Sequence, residues 1–240
     1  MTAVTGIGAI CKGLSKITPN EVLQPDASII TPARTPSPEL RTSLRALFAP
    51  SVYAKIWGVA MRQQSSVSTC FNSNMWARYT NVIKPSPPEA MPEYTLPGQS
   101  EYQCTDASFW TSGFFPGSLY LLYERRAKWP DKFRATGQPH VLKLQSAARW
   151  WSQNLHAQAN LMGTHDLGFL IHPWARLGWE LDQDAACYKS MVVAAQGLAA
   201  RFDPRVGCIR SWDTCYTKRY SFADPRDDFL VIIDNMMSPY

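Results

Sequence analysis

Thr164-His165-Asp166-Leu167-Gly168-Phe169 sets an imidazole, a carboxylate and a glycine directly ahead of an apolar run. Beyond it, Leu170, Ile171, Trp174, Leu177, Gly178 and Leu181 recur at spacings of three and four, which puts them on one helical face and commits that face to a core. Proline is best tolerated in a helix's first turn, so Pro173 places the start near itself and leaves Asp166 in the preceding loop, close to the positive end of the helix. Negative groups are favoured there. A capping aspartate beside a hydrogen-bonded structural histidine would satisfy the same pattern, so spacing alone leaves both readings open.

The flanking sequence is mostly helical by period. Val141, Leu144, Ala148, Trp151 and Leu155 are in register between Pro139 and about Gln158, and Phe115 to Lys128 forms a second segment. Asp184 caps a third, running from about Ala185 to Phe202 and ending at the turn Asp203-Pro204-Arg205-Val206-Gly207. Upstream, Leu40, Leu44, Leu47 and Phe48 mark one short helix, and Val52, Ile56, Val59 and Ala60 mark the next. Helices joined by short links, with no alternation of strand and helix, predict an all-α array of hairpins.

Two stretches break that pattern. Residues 1–36 carry scattered prolines and no sustained period, and read as a poorly ordered leader before a domain over 37–240. Pro85, Pro87, Pro88, Pro92 and Pro97 make about 65–109 a long connection, whose aromatics Phe71, Trp76, Tyr79, Tyr94 and Tyr102 suit either a covering loop or a surface excursion.

With 240 residues, 45% of them hydrophobic, the chain can bury a substantial core. No apolar run reaches the roughly 20 residues of a membrane span, and no secretion signal is evident at the start, so a cytoplasmic protein is expected. The net charge of +5 suits an anionic ligand. The basic residues are scattered, however, which argues against a nucleic-acid footprint. Six cysteines show no paired metal-ligand spacing, so neither metal nor cofactor is expected.

Asp234 follows Leu230, Val231, Ile232 and Ile233. A carboxylate among aliphatic side chains loses hydration, which disfavours its charged form and suits a proton donor near neutral pH. A buried aspartate tied to backbone donors is the competing reading. Taken alone, Phe229 to Ile233 reads as a short buried strand.

Four segments in order resemble one family. His165-Asp166-Leu167-Gly168-Phe169 is similar to the His-Asp-(Ile/Leu)-Gly-Phe signature of the unsaturated glucuronyl hydrolases, glycoside hydrolase family 88. Trp110-Thr111-Ser112-Gly113-Phe114-Phe115-Pro116-Gly117 resembles the family's Trp-Thr-x-Gly-Phe segment, Ile209-Arg210-Ser211-Trp212 an Ile-x-x-Trp stretch, and Val231-Ile232-Ile233-Asp234 its Ile-Ile-Ile-Asp segment.

The resemblance implies an (α/α)6 barrel of twelve helices, with 229–233 opening a helix. About six helices are legible, so a C-terminally truncated chain holding the first half of the toroid is expected. It further implies removal of a 4,5-unsaturated uronic acid from lyase-generated oligosaccharides by hydration of the C4=C5 double bond. Asp234 falls on the proton donor and Asp166 on the second catalytic carboxylate, with Trp110, His165 and Trp212 at the substrate. His165 could instead orient Asp166, and either tryptophan could be core. Gly113, Gly117 and Gly168 are expected to permit tight turns at the same mouth.

Two other classes of function fit the same residues. One is an inactive half-barrel that binds carbohydrate or a partner, and the other is a helical scaffold in which Asp166 and Asp234 face separate surfaces. Self-association through exposed apolar helix faces is expected of any open array.

Overall fold

The computed structural model describes residues 37–39, 50–66, 86–99, 101–130 and 138–237. The chain divides into two compact units, Met1–Phe48 and Ala49–Tyr240. The expected leader, the helical face of Leu40, Leu44, Leu47 and Phe48, and the loop aromatics Phe71, Trp76 and Tyr79 lie outside the described residues.

Among the described residues, five α-helices build the second unit: α1 (Pro50–Ser66), α2 (Phe114–Lys128), α3 (Val141–Ser152), α4 (Leu167–Asp182) and α5 (Ala185–Ala199). A 3-10 segment, Gln153–Asn160, continues α3, so the predicted helix to about Gln158 changes its winding at Ser152. Two helix starts carry side-chain caps. His140 Nδ1 accepts from the Leu142 amide at the start of α3, and Asp184 Oδ1 accepts from the Ala186 amide at the start of α5. The expected faces are buried, with Leu144, Ala148, Trp151 and Leu155 meeting Leu170, Ile171, Trp174 and Leu177 in one core.

Helices α2 and α4 lie side by side and run parallel, because Gly113 abuts Phe169 and Leu170 while Gly117, one turn on, abuts Pro173. A Cβ on Gly113 would stand 2.2 Å from the Phe169 carbonyl oxygen and one on Gly117 2.9 Å from Pro173 Cβ. This corrects the expectation of tight turns at these two positions: Gly113 has φ −72°, and the lack of a side chain serves close helix approach. α5 returns along α4 after the two-residue link Gln183-Asp184. Parallel neighbours joined through antiparallel returns make the α/α hairpin array that the pattern predicted.

Pro173 departs from its expected place, since α4 begins at Leu167 and the proline sits in the second turn. Its missing N–H leaves the Phe169 carbonyl without the usual helical donor. The cost is offset by the packing of the proline ring on Gly117. At the far end of α4, Asp182 accepts from Tyr123 Oη of α2 at 2.7 Å and from Gln145 Nε2 and Arg149 Nε of α3 at 2.8 and 3.2 Å.

Strands also appear where a structureless connection was expected. Ala90–Thr95 (β1) and Tyr102–Asp106 (β2) pair antiparallel, with Gly98 at φ 76° in the turn and a register shift between Pro92 and Tyr94. The hairpin is anchored because Met91 enters the helical core and Asn154 Nδ2 donates to the Pro88 carbonyl. Prolines had hidden it: Pro92 interrupts the alternation by which a strand is recognised. Three-residue periodicity likewise missed two smaller hairpins, Phe202–Asp203 (β3) with Cys208–Ile209 (β4), and Cys215–Tyr216 (β5) with Ser221–Phe222 (β6). The run at Phe229 to Ile233 is not a strand. It leads into a 3-10 turn, Ile233–Met237.

Candidate active site

An isolated antiparallel bridge between Thr164 and Trp212 brings two of the quoted segments together. The His165 amide donates to the Ser211 carbonyl at 2.7 Å, and the Asp213 amide to the Gly163 carbonyl at 3.3 Å. A third segment is tied to the same strand. The Ser211 amide donates to the Leu230 carbonyl at 2.8 Å, the Ile232 amide to Ser211 Oγ at 3.0 Å, and Asn235 Nδ2 to the Ile209 carbonyl. Residues 209–212 therefore hold Asp166 on one side and Asp234 on the other.

Asp166 immediately precedes α4 as expected, yet its side chain makes no capping bond. Its Oδ2 instead accepts from Thr164 Oγ1 at 2.6 Å and Trp212 Nε1 at 3.1 Å, while the Asp166 amide donates to the same threonine oxygen at 3.0 Å. An ordinary capping role is thereby excluded. The carboxylate is aimed sideways at Trp212, which makes that indole a positioning group for Asp166.

His165 is completely buried. Nδ1 lies 3.0 Å from the Ser211 carbonyl oxygen, and the ring stands edge-on to Trp212 with centroids 5.0 Å apart. Nε2 faces both carboxylates, 3.6 Å from Asp166 Oδ1 and 3.5 Å from Asp234 Oδ1. These are ion-pair separations, longer than hydrogen bonds. The enclosed ring corrects the expectation of substrate contact and leaves the alternative, orientation of the acids from below.

The Asp234 side chain is 44% exposed, with Oδ1 sealed from solvent and without a hydrogen-bond partner. One oxygen turns in toward the imidazole, so the exposure belongs to the other. The expected aliphatic jacket is not formed, because the 3-10 turn throws Ile233 outward to 88% exposure. What dehydrates Oδ1 is the buried histidine edge.

Trp110 stands in the turn between β2 and α2, where Ser112 Oγ donates to the Asp106 carbonyl at 2.7 Å. Its ring meets Phe169 and Phe114 in edge contacts at 6.0 and 6.1 Å, so it reaches the site through Phe169, in the first turn of α4. At 44% exposure it is a surface aromatic, not a core one.

Arg201 was not singled out from the sequence. Its guanidinium donates to the carbonyls of Met162, Arg210 (2.9 Å) and Ser211 (3.1 Å) and pairs with Asp213 Oδ1 at 3.0 Å. Burial lowers its proton affinity and the Asp213 charge restores part of it. Arg210 similarly holds the Asp234 segment, donating to the Asp228 and Pro225 carbonyls with its guanidinium carbon 4.4 Å over the Phe229 ring. Among the described residues no group of three or more His, Cys, Asp or Glu side chains is placed to hold a metal ion, and no helix is long and apolar enough to cross a membrane.

Comparison with known proteins shows what the chain is similar to. The chain is 35% identical over 130 residues to an unsaturated glucuronyl hydrolase of Formosa agariphila, a match covering 54% of this chain and 27% of that protein. Over these 130 residues the chain is similar to an unsaturated glucuronyl hydrolase. A Bacillus unsaturated glucuronyl hydrolase is 27% identical over 141 residues, 59% of this chain and 33% of its own. An unsaturated chondroitin disaccharide hydrolase of Streptococcus pneumoniae is 28% identical over 111 residues, 46% and 26% respectively. The chain thus spans about a third or less of the curated unsaturated glucuronyl hydrolases it matches. Among solved structures, an unsaturated glucuronyl hydrolase specific for heparin overlays with a TM-score of 0.49 at 25% identity, over 79% of this chain and 41% of that one. No protein-family model matches the chain.

Proposed function

We propose that this chain carries the acid pair of a glycoside hydrolase that removes a terminal 4,5-unsaturated uronic acid by hydrating its C4=C5 double bond. The observation that carries the reading is the convergence of Asp166 and Asp234 on one buried imidazole nitrogen. It is supported by the similarity of 130 residues of the chain to an unsaturated glucuronyl hydrolase. A scaffold with the two acids on separate surfaces does not fit that geometry.

In this reading Asp234 is the proton donor, through its exposed oxygen. Transfer of its proton to C4 leaves positive charge at C5, shared with the ring oxygen. Water then adds at C5, its second proton returns to a carboxylate, and the resulting hemiketal opens with loss of the glycosidic link. Asp166, whose Oδ2 accepts two hydrogen bonds and therefore carries no hydrogen, supplies negative charge beside the cation and an acceptor for the water. Trp110 offers an exposed ring face at the edge of the site for stacking on a sugar.

The test is incubation of the full chain with unsaturated chondroitin and hyaluronan disaccharides, followed through the ultraviolet absorbance of the double bond. Absorbance should fall with wild type and hold with Asp234→Asn, while equilibrium binding of the disaccharide persists in the variant. Turnover by Asp234→Asn near the wild-type rate would remove Asp234 from proton transfer. Binding with no turnover by wild type would select the carbohydrate-binding module instead.

A further inference from the structure

We infer that His165 is a positioning residue that holds the site's labile proton between Asp166 and Asp234, with its tautomer fixed by the Ser211 carbonyl. This deepens the reading above and rests on it for the chemistry, though the proton inventory stands on geometry alone.

The inventory starts at Ser211. A carbonyl oxygen only accepts, so the imidazole nitrogen 3.0 Å away must be an N–H donor. The same oxygen also takes the His165 amide at 2.7 Å and Arg201 Nη2 at 3.1 Å, so three donors converge on one acceptor. Nδ1 therefore carries hydrogen. In a neutral ring Nε2 would then present a lone pair to two carboxylate oxygens, at 3.5 and 3.6 Å.

Two sealed acceptors, Nε2 and Asp234 Oδ1, cannot face each other without a proton between them, and Asp166 Oδ1 adds a third acceptor from the solvent side. Nε2 and Asp234 Oδ1 are both buried and without hydrogen-bond partners, and they face each other. A proton on Nε2 turns this contact from two facing lone pairs into an ion pair, and such a proton belongs to the cluster rather than to a single residue. The charged groups around it come from several segments: Asp166 from the start of α4, Asp234 from the 3-10 turn, and Arg201 just past α5 with its partner Asp213 from the bend after Trp212. Asp234 can thus deliver a proton from its exposed oxygen while its buried oxygen draws on the imidazolium, without His165 ever touching substrate.

The experiment is a long-range proton–nitrogen correlation of the full chain labelled with 15N-histidine, at neutral pH, on wild type, Asp166→Asn and Asp234→Asn. Single Gln substitutions at His140, His156 and His172 assign the fourth ring by elimination, so a folded His165 variant is not required. His165 is expected to bear hydrogen on Nδ1 in all three proteins, with its doubly protonated share falling in both Asn variants. A ring bearing hydrogen on Nε2 alone, or a protonated share identical in all three, would overturn the inference. Failure of wild type to consume unsaturated disaccharides, with the expected nitrogen pattern present, would sink the proposed reaction and leave the proton assignment standing.

Discussion

Replacing Gly113 with alanine tests how the helix that carries Asp166 is seated. The added Cβ would lie 2.2 Å from the Phe169 oxygen and 2.6 Å from the Leu170 oxygen. Both are backbone atoms, so no side chain can rotate away. Ordinary carbon contacts fall near 3.5 Å, and relief requires α2 and α4 to part by about 1 Å. Overpacking of this kind costs about 1–3 kcal/mol, and the rigid neighbours put Gly113 at the upper end. For a chain of this size, about 3 kcal/mol corresponds to a fall in Tm of roughly 6–12 °C. Thermal and urea unfolding of the full chain measure it. Gly58→Ala in α1 is the control, since its nearest neighbour is Arg62 Nη1 at 3.5 Å and relief from a mid-helix glycine should stabilise by up to about 1 kcal/mol. A Gly113→Ala protein within about 0.5 kcal/mol of wild type would refute the close-approach account.

Ser211→Ala removes the acceptor for the Ile232 amide in a fully buried position, and should lower stability by about 1–3 kcal/mol in urea unfolding. An unchanged midpoint would show that Ser211 Oγ does not hold the Asp234 segment. His156 is half-buried against Trp174, and that burial lowers its proton affinity below the ordinary value of 6.5, opposed by the nearby Asp184 charge. Because the unfolded chain then binds the proton more readily, this contribution to stability is complete above pH 6.5 and is lost as pH falls through 6.5 toward the folded value. His172 acts in the same sense. Unfolding free energy should decline from pH 7.5 to pH 5, less steeply in His156→Gln, and equal slopes would count against it.

The helices were legible because their faces repeat at a fixed interval: Leu144, Ala148, Trp151 and Leu155 could be placed on one side before any coordinate was known. Pro173 misled because a proline inside a helix is tolerated only when a neighbour fills the gap, and Gly117 is 56 positions away in sequence. The β1–β2 hairpin was masked by Pro92 and Pro97, residues that mark loops until a partner strand is seen. At the site, Asp166 and Asp234 were recognisable through their segments, but the aliphatic run before Asp234 gave the wrong reason for its dehydration. Its Oδ1 is sealed by His165, across the chain. Ser211 and Arg201 act through a backbone carbonyl, and no residue type or spacing announces such a role.

The clasp between Ser211 and Leu230 closes a loop whose ends meet beside the acids. Between Asp213, paired with Arg201, and Pro225, whose carbonyl Arg210 binds, the β5–β6 hairpin extends from that junction as an appendage. Its tip can lengthen, shorten or change charge while the knot at its base keeps both carboxylates in register.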